Sequence, residues 1–563
     1  MLREGPFLDD DRVNAAILGL SPVEFATLVA ALVPVPARLL PPGARRPVTL
    51  VCAAVFASCA VALAVSGVRW PVVPVLAGGA LALAVTVPPL FGRRAERPVR
   101  WRRWAARLGS AAALVVVLAG AVTAWALPVP VFPEPPGPYA VGTTVVQWTD
   151  TARPEPATSR RDDRRVVVVQ LWYPATGVTS ADARARYLGR TEREARTVAR
   201  GTAAYLGMPG FVLDQASLAT TWSVPGAPGA GGRFPVVLFS PGLGGVRTQN
   251  TAWAEELAGR GYVVAALDHP YDSAVVTLAD GRVIRTRLAA TGDPAEDDRR
   301  AAAWTAVRAA DLRFVLTQLG RIDCGELPDP LAGRADGARP PAPPAPRLDH
   351  AASPRTLATR HHQAPPPSAL AAHLLHTAPP NTLAAHLHHA ALPSTLATRH
   401  HQAAPPSGLA GRLDTGRVAV TGHSLGGAAA LLAAREDHRF AAVIDIDGYP
   451  RDPAPGPFPQ PALALVHDIE PGQERDYLDR LTRVLGLSTA AGYRLTVPGS
   501  AHLTFTDAPL FLPPLPSLVG SGGRDAGPRR TAAVTAAFLD ATLRGAPGDL
   551  ATSLSAYGRL TVL

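Results

Sequence analysis

The sequence predicts an α/β fold, a mostly parallel doubly wound sheet preceded by an N-terminal transmembrane helical region. Three observations predict it. Three uncharged apolar runs, each longer than 20 residues, crowd the first 133 positions. Beyond residue 143, short β-branched runs alternate with Ala- and Leu-rich stretches. Near residue 420, a strand-like Val-Ala-Val enters a Gly-rich turn and then a helical run. Continuous apolar strands alternating with helices belong to a parallel sheet covered on both faces.

Composition sets the bounds. The chain has 563 residues, 47% of them hydrophobic, and a mean hydropathy of +0.11. Charged residues make up 18%, which excludes a highly charged disordered chain. There is no Lys, so all 55 basic residues are Arg. With 58 Pro and 50 Gly, this reads as a coding bias, not as chemistry. Three Cys exclude a disulfide scaffold; Cys52 and Cys59 lie in an apolar run and Cys324 stands alone. A net charge of +10 first suggests nucleic acid, but residues 92–107 alone hold seven Arg against one Glu. That loop separates two apolar runs, so it sets membrane topology, and no nucleic-acid partner is expected.

The apolar runs are 47–68, 70–91 and 108–133, and each is long enough to cross ~30 Å of hydrocarbon. They are too long and start too late for a cleaved signal peptide. Arg38, Arg45 and Arg46 precede the first run, and only Arg69 separates the first two. The positive-inside rule then makes 1–46 a cytoplasmic N-terminal segment and 92–107 a cytoplasmic loop within the 47–133 membrane region. Everything after about residue 133 falls outside, giving a multi-pass protein of the cytoplasmic membrane with an extracytoplasmic main domain. The apolar stretch 25–37 has only 13 residues and reads as interfacial. A fourth span there moves the N-terminus, not the main domain.

A Pro/Gly linker at 134–142 leads into the domain at 143–563. Strands are expected at 143–148, 165–173, 234–240, 261–268, 417–421, 441–446, 461–467 and 493–497. Helices are expected at 250–260, 297–319, 425–436, 473–485 and 529–544. Residues 181–222 form a helical insertion placed to cap a site. Residues 335–411 interrupt the pattern with a 13-residue repeat, in four copies over 356–407 and a partial fifth from 408. Ten of the fifteen His fall in 350–401, so a metal-binding tract is one reading. A Pro-broken surface loop is the preferred one. Each copy has two or three His, no Cys and no carboxylate, and has Pro at its boundary with the next. A 13-residue period is also short for a solenoid, whose units run ~20–50 residues.

Chemistry concentrates at 417–434, RVAVTGHSLGGAAALLAA. Gly422-His423-Ser424-Leu425-Gly426 is a GxSxG turn, in which Ser must project from a strained strand-to-helix corner and Gly on either side avoids clashes. The helix that follows presents its positive end to developing negative charge. A Ser nucleophile needs a base, an acid and an oxyanion hole. Only His438, His467 and His502 follow Ser424. His502 lies in a Gly-Ser turn after the last strand, the place of a catalytic histidine in the order Ser, acid, His. Asp445, Asp447 and Asp468 all stand at strand ends, and spacing does not choose among them. The turn in VVLFSPGLGG offers the backbone N–H of Leu243 as one oxyanion donor, and Leu425 offers the other.

Six pieces in order carry a family resemblance: LWYPA (171–175), LFSPGLGG (238–245), GYVVAALDHPYDSA (261–274), GHSLGG (422–427), IDIDGYP (444–450) and PGSAHLTF (498–505). From about 143 to 545 the chain resembles the α/β-hydrolases of the plasma-type platelet-activating-factor acetylhydrolase and related bacterial lipase/esterase group. The resemblance implies an α/β-hydrolase fold, Ser424 as nucleophile, His502 as base, Leu243 and Leu425 as oxyanion donors, and His269 as a supporting residue. It favours Asp445 as the acid, five residues before Pro450, with Asp447 next. Pro241 stands where the family often has His, and Pro270 and Tyr271 alter the next loop. These departures bear on an acetyl-phospholipid substrate more than on the hydrolysis.

The expected function is a membrane-anchored serine ester hydrolase acting on carboxylic esters, including those of lipids, and needing no metal or organic cofactor. Its partners are the ester or lipid substrate and the membrane. An acyltransferase on the same site and a non-catalytic membrane binding or sensing protein are the alternatives.

Overall fold

The computed structural model describes residues 19–91, 100–288, 291–332, 408–452, 455–469 and 473–563. The histidine repeat, and with it the metal-binding reading, lies outside the described residues, as does the 92–99 part of the Arg-rich loop. The chain divides into two compact units. The smaller comprises Met1–Val131 with two short segments, Phe211–Ala219 and Leu510–Pro513, and the larger holds the rest.

The first unit is helical, with helices Pro22–Leu32, Pro42–Ser66, Val73–Thr86 and Arg100–Ala126. Three stretches have the length and composition to cross a membrane: Pro22–Leu39, Gly43–Ser66 and Trp104–Ala126. Trp70–Thr86 is apolar but shorter. The sequence assigned these two segments the other way round. The first helix starts earlier than its apolar run because Ser21 and Glu24 form a capping box, and a 3-10 turn at Pro36–Leu39 prolongs it. Its charges are answered within the unit. Glu24 pairs with Arg69 at 2.7 Å, and Arg38 donates to Ser110 Oγ at 2.6 Å and to the Val85 carbonyl at 2.9 Å. The 70–91 run breaks after Thr86 before Pro88-Pro89, and Pro at the second position of that pair bars a continuous helix.

The second unit is the expected α/β sandwich. Its strands are β1 (Ala140–Pro154), β2 (Arg164–Ala175), β3 (Val224–Pro225), β4 (Phe234–Ser240), β5 (Val263–Asp268), β6 (Val275–Thr277), β7 (Val283–Arg285), β8 (Leu413–His423), β9 (Phe440–Ile446), β10 (Ala462–Val466), β11 (Gly492–Thr496) and β12 (Arg559–Val562). Ten of them form one sheet in the order β12-β11-β10-β9-β8-β4-β5-β2-β1-β3. The six strands from β11 to β5 run parallel, and β2, β1 and β12 join antiparallel at the two sides. All eight strands expected from sequence are present. The missed β3, β6, β7 and β12 are two to four residues long and carry little periodic signal.

Alternation sorts the strand side chains into two cores. Val236 and Leu238 face the helices Pro294–Asp323 and Leu425–Glu436, while Val237 and Phe239 face Thr251–Gly259 and Ala526–Arg544. Because the central strands are parallel, β4, β5, β8, β9 and β10 all end at one edge, bringing Ser240, Asp268, His423, Ile446 and Val466 together there. The 181–222 insertion holds one helix, Glu192–Tyr205, followed by 3-10 turns.

A buried ionic cluster ties the antiparallel side of the sheet to the long helix. Arg165 on β2 donates to Asp311 at 2.6 Å, to Glu155 at 2.9 Å and to the Pro270 carbonyl at 2.9 Å. Removing one partner of a buried ionic group strands the others without compensation. Arg165→Ala is therefore expected to destabilise this unit by about 3–5 kcal/mol, read as a lowered denaturant midpoint, and an unchanged midpoint would contradict it.

Candidate active site

β8 ends at His423, and the next residue turns the chain. Ser424 has φ 55° and ψ −123°, a left-handed conformation that costs a non-glycine residue ~1–3 kcal/mol unless its surroundings hold it. Here they do. The Ser424 N–H donates to the Ile446 carbonyl at 2.8 Å, joining the turn to the end of β9. A Cβ on Gly422 would strike the Gly426 backbone, and one on Gly426 would strike the Ser240 carbonyl. Both positions must be glycine for the helix Leu425–Glu436 to leave the strand at this angle.

His502 opens a short 3-10 turn in the loop after β11. Its Nδ1 donates to Asp447 Oδ2 at 2.6 Å, which leaves Nε2 as the basic nitrogen. His423 lies beside it, with ring centroids 4.6 Å apart, and its Nε2–H donates to the His502 carbonyl at 3.0 Å. Gln249 Nε2 donates to His423 Nδ1 at 2.8 Å, which completes the neutral tautomer. Burial and the neighbouring His502 push the His423 pKa down to about 3, so this ring stays uncharged.

The three candidate acids separate cleanly. Asp447 follows β9 in a left-handed conformation, φ 56°, that turns its carboxylate toward the histidines. Besides His502 it accepts from the His467 N–H at 3.0 Å, from His467 Nδ1 at 2.9 Å and from the Tyr477 hydroxyl at 3.3 Å. Burial alone would raise its pKa, but His467 and His502 outweigh burial and hold it well below the ordinary carboxylate range. Asp445, favoured by the resemblance, is not on His502. Its Oδ1 accepts from the Gly448 N–H at 2.9 Å, and Oδ2 has no partner among the described residues. Burial, and then the charge of Asp447, push its pKa well up, which favours its uncharged form. The difference from the expected partner has a local cause, since only the left-handed turn at 447 separates two aspartates two residues apart on one strand end. Asp468 accepts from the Gly499 N–H at 2.8 Å, so it pins the histidine loop, not the ring.

The turn after β4 approaches the serine closely. A Cβ on Gly242 would lie 3.5 Å from Ser424 Cβ. The side chains of Leu243 and Leu425 share a small apolar cluster with Ala301 and Trp304. Leu425 opens its helix, where the first N–H groups have no intrahelical acceptor. Behind this turn, Ser240 Oγ meets His269 Nε2 at 2.9 Å and His269 Nδ1 meets Asp311 Oδ2 at 2.8 Å. This repeats the Ser–His–Asp connectivity, but all three side chains are fully enclosed, and His269 joins the end of β4 to the long helix.

Gln249, Arg308, His467 and Tyr477 were not singled out as site residues in the sequence. His467 ends a strand and was read only as a rival base. The others carry no motif, and only the fold brings them to the strand edge. Asp447, His467 and His502 also place three ligand-type atoms within 4.8 Å of one another, although hydrogen bonds already link them.

The strand order, the left-handed serine after β8 and the paired histidine after β11 make this an α/β-hydrolase. Residues 129–289 and 405–529, just over half of the chain, match the sequence model of the family described as "Platelet-activating factor acetylhydrolase, isoform II". The chain belongs to that family. A stretch of 85 residues is 32% identical to a protein of Arthroderma benhamiae named "Probable 1-alkyl-2-acetylglycerophosphocholine esterase". That match covers 15% of this chain and 21% of the relative, about a fifth of its length. A solved structure, a ferulic acid esterase from Streptomyces cinnamoneus, aligns with a TM-score of 0.49 at 25% identity, covering 76% of this chain and 98% of that one.

His467 links the site to stability. Burial opposes its charged form, but Asp447 and then Glu474, 3.6 Å from Nε2, raise its pKa to about 10. The folded protein thus holds this proton more tightly than the unfolded chain, where histidine titrates near ~6.5. The resulting stabilisation is complete below about pH 6.5 and is lost as pH rises through about 10. The wild-type melting temperature should fall across this window, and His467→Gln should show a shallower fall. Parallel curves in a pH series of thermal melts would refute this.

Proposed function

We propose that this protein is a membrane-anchored serine ester hydrolase that cleaves carboxylic esters of lipids. The observation that carries the reading is the 2.6 Å bond from His502 Nδ1 to the buried Asp447, on a loop beside the left-handed Ser424. Ser424 Oγ attacks the ester carbonyl while His502 Nε2 takes its proton. Asp447 holds the Nδ1–H tautomer and offsets the charge of the imidazolium. The N–H groups of Leu243 and Leu425 receive the oxyanion. His502 then gives its proton to the leaving alcohol, and water, activated by the same nitrogen, releases the acid from the acyl-enzyme.

A lipid ester is supported by two features. The relative from Arthroderma benhamiae is named for an acetylglycerophosphocholine ester, and this chain carries three helices apolar and long enough to cross a bilayer. With the shorter apolar helix Trp70–Thr86 crossing as a fourth span, Arg38, Arg45 and Arg46 and the seven Arg of 92–107 fall on the same side, which the positive-inside rule makes cytoplasmic. The hydrolase unit then lies on the opposite side of the cytoplasmic membrane.

The test uses the full chain in detergent, with p-nitrophenyl esters and fluorophosphonate labelling. Ser424→Ala should lose both hydrolysis and labelling. Asp447→Asn should lower kcat by about 10³–10⁴, as when an acid no longer fixes the histidine tautomer. Asp445→Asn removes no bond to His502 and keeps the acceptor for the Gly448 N–H, so it should stay within about tenfold of wild type. A folded wild type that neither labels nor hydrolyses any ester would overturn the reading. A loss at 445 with none at 447 would return the acid to Asp445.

A further inference from the structure

The proposed oxyanion turn is held from two sides by side chains that do not touch the serine. Arg308, on the Pro294–Asp323 helix, is fully buried. Asp272 grips its guanidinium through two bonds of 2.5 and 2.6 Å. The guanidinium faces the turn, where it donates to the Pro241 carbonyl, to the Gly242 carbonyl at 3.0 Å and to Ser240 Oγ at 3.3 Å. From the other side, Gln249 Oε1 accepts the Gly242 N–H at 2.9 Å.

These bonds fix two successive peptide planes. The plane joining 241 to 242 is held at both ends, its carbonyl by Arg308 and its N–H by Gln249. The plane joining 242 to 243 is held at its carbonyl by Arg308 and by the Gly245 N–H at 2.9 Å. In a trans peptide the N–H points opposite to the carbonyl. Drawing the Gly242 carbonyl onto Arg308 therefore turns the Leu243 N–H away from Arg308. Gln249 also reaches His423, and His423 reaches the His502 carbonyl. The turn and the base are thus tied by one chain of hydrogen bonds.

We infer that Arg308 and Gln249 are positioning residues for the oxyanion: together they set the 241–243 peptide planes and aim the Leu243 N–H at the developing negative charge. This rests on the serine-hydrolase reading. A donor aimed in advance stabilises the transition state without reorganising, whereas a loose one loses most of that effect. An arginine suits the task because its planar fork grips a carboxylate on one edge and carbonyls on the other, which lysine cannot do.

The experiment compares the full-length wild type, Gln249→Leu and Arg308→Lys in detergent on an ester and the matching thionoester. A correctly aimed N–H stabilises an oxyanion better than a thiolate-like anion, so the wild type should prefer the oxygen ester. In both variants kcat for that ester should fall by about 10²-fold with KM within about threefold. The ratio of kcat on ester to kcat on thionoester should fall about tenfold. A merely structural role would lower both substrates alike and leave the ratio unchanged. Arg308→Lys keeps a cation beside Asp272, and if it does not fold, Gln249→Leu, which unpairs no charge, decides alone. A wild-type kcat, or a lowered kcat with a wild-type ratio, overturns the inference. Hydrolysis that survives Ser424→Ala overturns the hydrolase reading instead.

Discussion

One backbone conformation constrains this molecule more than any other, the left-handed turn at Ser424. A residue with a side chain adopts it only where neighbours hold it, and three strands supply those neighbours. β8 delivers the residue, β9 accepts its N–H through Ile446, and β4 supplies the Ser240 carbonyl against which Gly426 packs. If β4, β8 and β9 slipped relative to one another, the serine would relax. The parallel register of the central sheet and the placement of the Ser424 side chain are therefore one condition. The helix starting at Leu425 follows from it, since the turn leaves its N-terminus directed at the same edge.

Around this turn the site separates charge with care. Two aspartates lie two residues apart at the end of β9, and their surroundings drive them in opposite directions. Asp447 receives donors from two histidines and a tyrosine, which hold its pKa down, whereas Asp445 has one backbone donor and burial pushes its pKa up. Two carboxylates whose surroundings push their pKa values apart mark distinct roles. The upward push at Asp445 favours its uncharged form, which lessens the repulsion that a second carboxylate exerts on Asp447 beside His502.

Much of this was legible in the sequence, and the limits have physical causes. Eight strands and five helices of the second unit followed from periodicity because long buried elements repeat their pattern. The turn at Ser424 and the loop that carries His502 followed because a Gly-flanked corner and a late loop are local features. The choice between Asp445 and Asp447 was not legible, because a single φ of 56° at one residue decides it and no pattern encodes that angle. The first membrane-length helix was discounted because its uncharged run, bounded by Glu24 and Arg38, has only 13 residues. Their partners, Arg69 and the Val85 carbonyl, lie 45 and 47 residues further along the chain. A charge is costly in an apolar setting only when it lacks a partner, and partners that distant leave no mark on a local hydropathy window.

The same distance rule explains why the residues behind the turn after β4 were invisible. Arg308 lies 66 residues from Gly242, and Gln249 lies 174 from His423. Between those last two falls the whole Pro- and His-rich insertion, whose length varies nothing that the sheet edge needs. The insertion leaves between the Pro294–Asp323 helix and β8. The Asp323 carboxylate accepts the Leu413 N–H at 3.0 Å, and Asp329 accepts the Leu409 and Ala410 N–H groups at 2.6 and 2.8 Å. These contacts close the two ends of the insertion onto each other before β8 begins. Extra loop length costs little entropy once its ends are joined. The strand that carries Ser424 therefore starts from a point fixed by Asp323 and Asp329, whatever the length of the repeat, and this is how a chain with so long an insertion keeps the strand edge in place.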